Sequence, residues 1–116
     1  MAITLYHNPR CSKSREALAA LQNLGHEPNV VLYLETPPDA ATLASLLTKL
    51  NLPARALLRT KEAEYAELGL ADPAISDEAL MAAMAAHPKL IERPIAVIGE
   101  RAAIGRPLDQ ILALLP

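Results

Sequence analysis

The apolar pattern of this chain changes period twice, and few folds accommodate both changes. Ile3-Thr4-Leu5-Tyr6 is a short apolar run that ends at the turn signal Asn8-Pro9, so it reads as a strand. Ala17, Leu18, Leu21 and Leu24 then recur at helical spacing, while Arg15, Glu16 and Gln22 face the other way. The spacing predicts a helix over about 12–24, closed by Gly25. Val30-Val31-Leu32-Tyr33-Leu34 is β-branched and nearly all apolar, as a buried strand should be. Strand, helix, strand in this order predicts a parallel βαβ unit.

The middle keeps helical period. Thr36 reads as an N-cap, with Pro37 and Pro38 in the first turn and Asp39 at its third position. Leu43, Leu46, Leu47 and Leu50 form one stripe. Pro53 stops it and starts a short turn through Leu57 and Leu58. Residues 61–69 suggest another short helix. Ser76-Asp77-Glu78 opens the next, with Leu80, Met81 and Met84 inward, and His87-Pro88 ends it. Then Ile95–Ile98, the pair Gly99-Glu100, and Arg101–Ile104 predict a hairpin with a two-residue turn. Pro107 opens a last helix carrying Leu108, Ile111, Leu112 and Leu115.

A βαβ unit and a ββα unit around one sheet is the arrangement of the thioredoxin fold. The expectation is an α/β protein with a mixed four-stranded sheet and a helical insert at about 38–92, forming one domain over 1–116. A chain of 116 residues, 52% hydrophobic and 21% charged, suits a single globular core. With no Phe or Trp, that core must be built from Leu, Ile, Val, Ala and Met. A net charge of −2 offers no basic footprint for nucleic acid. No apolar run has transmembrane length, so no membrane partner is expected. The strand-like N-terminus does not read as a signal peptide, and a lone cysteine favours a reducing, cytoplasmic setting. His7, His26 and His87 are scattered, which argues against a metal site; no bound cofactor is expected.

The cysteine lies in HNPRCSKSR, where the first strand gives way to the first helix. Helix N-termini carry unpaired N–H groups and partial positive charge, which stabilise a thiolate. Arg10, Lys13 and Arg15 add local cations, so Cys11 is expected to be partly open to solvent, with a depressed pKa. A free cysteine is often a small buried hydrophobe, but Arg10 and Ser12 are not apolar flanks. Cys11 and Ser14 make C-x-x-S, so no second thiol in the chain can resolve a disulfide. Ala17 occupies the place of the arginine that a cysteine-phosphatase loop requires. His7 is either a turn histidine or a neighbour that helps hold the thiolate.

Three further arginines stand out. Arg93 precedes Pro94 and Arg106 precedes Pro107, and pre-proline residues are pushed toward extended backbone at element boundaries. Pro94, just before a strand, is where a thioredoxin fold places a cis-proline facing its active cysteine. Arg59 ends the short helical run Ala56-Leu57-Leu58. Singly, each is more often surface charge than ligand. Together they offer planar forks suited to a tetrahedral oxyanion.

Over nearly its whole length the chain resembles the glutaredoxin-coupled arsenate reductase family, in its short branch. The segments that carry the likeness are ITLYHNPRCSKSR at 3–15, LYLETPP at 32–38, RALLR at 55–59, YAELGLA at 65–71, ERPIAV at 92–97 and Gly105-Arg106-Pro107. The resemblance implies that Cys11 is the nucleophile and that Arg59, Arg93 and Arg106 bind the substrate oxyanion. It implies that His7 lowers the thiol pKa and that Ser14 is a catalytic neighbour of the cysteine. It also implies a reaction: Cys11 attacks arsenate to form a covalent adduct, glutathione attacks that adduct as reducing co-substrate, and glutaredoxin removes the glutathione as arsenite leaves. Two other readings share these residues. One is a monothiol, glutathione-dependent oxidoreductase without arsenate activity. The other is an Spx-like regulator binding RNA polymerase, though such regulators commonly carry C-x-x-C.

Overall fold

The computed structural model describes residues 2–116, which form two compact units divided at Thr36/Pro37 and Glu92/Arg93. The first unit holds a four-stranded sheet. Its strands are β1 (Ile3–His7), β2 (Asn29–Leu32), β3 (Ile95–Ile98) and β4 (Arg101–Ile104), in spatial order β2-β1-β3-β4. β1 pairs parallel with β2 and antiparallel with β3, and β3 pairs antiparallel with β4. This is the mixed sheet of a thioredoxin-like α/β fold. Helix α1 (Ser12–Asn23) links β1 to β2, and α5 (Asp109–Leu112) follows the hairpin. The core of this unit is Ile3, Leu5, Ala17, Leu21, Ala96, Ile111 and Leu114.

Alternation along β1 explains more than its apolar residues. Ile3, Leu5 and His7 share the buried face, because successive side chains of a strand point to opposite sides. On α1 the buried residues are Ser14, Ala17 and Leu21, which follow helical spacing. His7 and Ser14 are therefore the polar ends of two inward-facing series.

Several details differ from the sequence reading. β2 is an edge strand ending at Leu32, and Val30 and Leu32 are more than a third exposed, so it is not the buried strand that its composition suggests. Leu24 lies beyond α1 and is 57% exposed rather than part of the inward stripe. The last helix stops at Leu112, and Leu114 rather than Leu115 is buried.

The second unit is helical: α2 (Ala40–Leu50), a 3-10 turn (Ala54–Leu57), α3 (Ala63–Glu67), α4 (Asp77–Ala86) and a second 3-10 turn (Pro88–Leu90). Leu43, Leu46 and Leu47 of α2 and Leu80 and Met84 of α4 are buried, and the two helices pack together. The N-cap of α2 is Asp39, whose Oδ1 accepts from Thr42 N–H at 2.8 Å, not Thr36. Thr36 instead donates its hydroxyl to Leu32 O. Ser76 caps α4, accepting from Ala79 N–H at 3.2 Å. A bridge between Leu58 and Ile91 ties the two ends of this unit's second half. No helix among the described residues is long and apolar enough to cross a membrane.

Candidate active site

Cys11 is the N-cap residue of α1, in extended conformation, and enters the helix directly from the loop after β1. That loop is closely tied. Cys11 N–H donates to Asn8 O, Arg10 N–H donates to Asn8 Oδ1, and Arg15 Nη1 donates to Pro9 O. The thiol is free but 8% exposed, more covered than the sequence suggests, with the Arg106 guanidinium 3.4 Å from its sulfur. Burial pushes its pKa up. The backbone N–H of Ser14, the Arg93 guanidinium and the backbone N–H of Lys13 outweigh that and hold it below the ordinary value.

The sheet register explains how Arg93 and Arg106 reach a cysteine so distant in sequence. Tyr6 pairs with Ile95 and Ile95 pairs with Ile104. The exit of β1, the entry of β3 and the exit of β4 therefore lie at one end of the sheet. Cys11 follows the first, Arg93 precedes the second and Arg106 follows the third. Arg106 is fixed in turn: its Nε donates to Arg93 O at 2.7 Å while Nη2 donates to Cys11 Sγ. Both Arg-Pro peptide bonds, Arg93–Pro94 and Arg106–Pro107, are cis. Between them Gly105 donates its N–H to Pro94 O, and a Cβ there would lie 2.7 Å from Ile111 Cδ1 and 2.8 Å from Pro94 Cγ. The lack of a side chain at 105 lets the two arginine-bearing loops lie in contact.

His7 meets Ser14. Its Nδ1 is 2.6 Å from Ser14 Oγ, which also accepts the Asn8 N–H at 3.0 Å. Both side chains are buried, Ser14 completely. Burial, aided by the charge of Arg15, lowers the His7 pKa, so the ring is neutral near pH 7. A neutral ring brings no positive charge to the thiolate, and its place is beside the serine. The local cations also turn elsewhere: Lys13 pairs with Glu16 at 3.9 Å and Arg15 with Pro9 O. The cations at the sulfur are Arg93 and Arg106, supplied by the fold rather than by the motif.

Arg59 belongs to the helical unit. Its Nε lies 3.3 Å from Glu92 Oε1 and its Nη1 3.4 Å from Glu62 Oε1. Two partners escaped the sequence reading: the Asn8 main chain, which has no sequence signal, and Gly105, whose place beside an Arg-Pro pair hints at a close approach. No cluster of His, Cys, Asp and Glu among the described residues could hold a metal ion.

A single thiol at a helix N-terminus, its pKa lowered and two arginines beside it on a thioredoxin-like sheet, defines a class of cysteine-dependent redox proteins. Within that class the chain belongs to the ArsC family, whose model matches residues 6–114. It is 57% identical to YfgD of Escherichia coli (strain K12), an uncharacterised protein, over 97% of this chain and 96% of the relative. It is 49% identical to a protein named arsenate reductase from Neisseria meningitidis, over 97% of each. A solved structure named arsenate reductase from Vibrio cholerae superposes with a TM-score of 0.97 at 53% identity, covering 99% of this chain and 98% of that one.

Proposed function

We propose that the protein reduces arsenate to arsenite with glutathione and glutaredoxin as electron donors. The observation that carries this reading is the Cys11 sulfur beside the Arg93 and Arg106 guanidinium groups. A thiolate and an arsenate anion repel each other; fixed cations at the point of attack offset that repulsion. Arg93 Nε is buried and makes no hydrogen bond among the described residues, leaving a donor that an oxyanion would satisfy.

In this reading Cys11 thiolate attacks arsenic and an oxygen leaves as water or hydroxide, giving a Cys11–S–As(V) adduct. Glutathione thiol attacks the arsenic and displaces a second oxygen as water. Glutaredoxin thiolate then attacks the glutathione sulfur. The As–S(glutathione) electron pair stays on arsenic, which becomes As(III), and a glutaredoxin–glutathione disulfide forms. Hydrolysis of the remaining As–S bond frees arsenite and returns Cys11 as thiol. Two sulfurs are oxidised by one electron each and arsenic gains two. Cys11 is restored without a second thiol in the chain, which fits C-x-x-S.

Arg59, Arg93 and Arg106 serve as oxyanion ligands in this scheme. Ser14 and His7 hold the cysteine loop in shape, and no cofactor is bound. Dependence on glutathione suits the reducing cytoplasm. The test is arsenate-dependent NADPH oxidation with glutathione, glutaredoxin and glutathione reductase supplied. Turnover that requires every component is expected. Glutathione-disulfide exchange without arsenate turnover would replace this reading with that of a monothiol oxidoreductase.

A further inference from the structure

Arg59 already carries counter-ions. Glu92 Oε1 stands at its Nε and Glu62 Oε1 at its Nη1, and the arginine side chain is 18% exposed. Two carboxylates on one guanidinium give a trio with net negative charge, a poor receptor for an anion.

The two contacts are unlike. Glu92 is fixed by its backbone: its N–H donates to Leu57 O at 2.8 Å, Arg59 N–H donates to Leu90 O at 2.7 Å, and the Leu58–Ile91 bridge lies between them. Its carboxylate takes Nε, at the stem of the guanidinium. Glu62 lies at the entry of α3, three residues beyond Arg59, and its contact with Nη1 is 3.4 Å. Arg59 Nη1 is buried, and that contact does not satisfy it as a hydrogen bond. Oxyanions engage arginine by two parallel N–H···O bonds along one edge. With Nε held by Glu92, the edge left for an anion is Nη1 and Nη2, which includes the nitrogen that Glu62 approaches.

We propose that Glu62 is an internal competitor for the substrate. Its carboxylate stands where an arsenate oxygen takes Arg59, and so sets the affinity for the anion. Glu92 is a positioning residue that aims the fork. The inference rests on the reading that Arg59 is an oxyanion ligand. The pair keeps a poorly exposed guanidinium from standing uncompensated. When the anion arrives, Glu62, 29% exposed, turns to water.

Glu62→Gln tests this at constant size, and Glu62 makes no side-chain cap hydrogen bond that the change would remove. The measurement is steady-state arsenate kinetics for wild type, Glu62→Gln, Arg59→Ala and the double variant. Glu62→Gln should lower KM for arsenate roughly three- to tenfold with kcat unchanged, and the same change in the Arg59→Ala background should move KM less than about twofold. If Arg59→Ala turns over too slowly, the cycle is read instead from arsenate protection of Cys11 against iodoacetamide. An unchanged or raised KM in Glu62→Gln overturns the inference. So does an equal shift in both backgrounds, which would mark a bulk charge effect. Normal wild-type turnover with either result removes this inference alone. No wild-type arsenate turnover removes the underlying reading together with it.

Discussion

Ser14→Ala should be among the most destabilising single-atom changes in the molecule, although it deletes one oxygen on a helix. Ser14 is fully buried, and its Oγ has two partners: His7 Nδ1 at 2.6 Å and Asn8 N–H at 3.0 Å. Alanine leaves both without a partner. A buried polar group stripped of its hydrogen bond costs about 1–3 kcal/mol. His7 is buried and should lie high in that range, whereas Asn8 is half-buried and can recruit water. The sum is about 2–4 kcal/mol. For 116 residues, an unfolding entropy of ~2.1 cal/mol/K per residue turns this into a fall in Tm of about 8–16 °C. Urea unfolding followed by far-UV circular dichroism gives the free energy, and calorimetry the Tm. A loss under about 0.5 kcal/mol would refute the reasoning, since it would mean that His7 and Asn8 find other partners at no cost.

Cys11→Ser should abolish arsenate turnover, because a serine hydroxyl is hardly ionised near neutral pH, while Arg106→Ala should lower the rate on the order of tens- to a thousandfold; coupled steady-state rates check both. Burial holds His7 neutral, so the unfolded chain binds its proton first as pH falls below about 6.5; stability should drop from there downward, and the drop between pH 7.5 and pH 5.5 should be smaller in His7→Gln. Gly105→Ala should cost roughly 1–3 kcal/mol, because the new Cβ meets Ile111 and Pro94 below contact distance, with partial recovery in Gly105→Ala/Ile111→Val; wild-type stability in Gly105→Ala would contradict the close approach.

The order of elements was legible because periodicity, proline placement and turn pairs act locally. The Gly99-Glu100 hairpin falls where the sequence puts it, and so does the passage from strand to helix at Cys11. What failed depended on neighbours remote in the chain. Val30 and Leu32 look like core, but β2 lies at the sheet edge, and edge position follows from which strands pair rather than from composition. Asp39 outcompetes Thr36 as a cap because Pro37 and Pro38 defer the start of α2, a choice among adjacent candidates that composition leaves open. At the site, the lone cysteine and its place at a helix N-terminus were legible in the sequence. The charges beside the sulfur came from elsewhere: Arg15 and Lys13, next to it in sequence, point to Pro9 and Glu16, while Arg106, 95 residues away, donates to it. That exchange was decided by the antiparallel register of β1, β3 and β4, which brings three strand ends to one end of the sheet; a register is a property of pairs of strands, and no single segment encodes it.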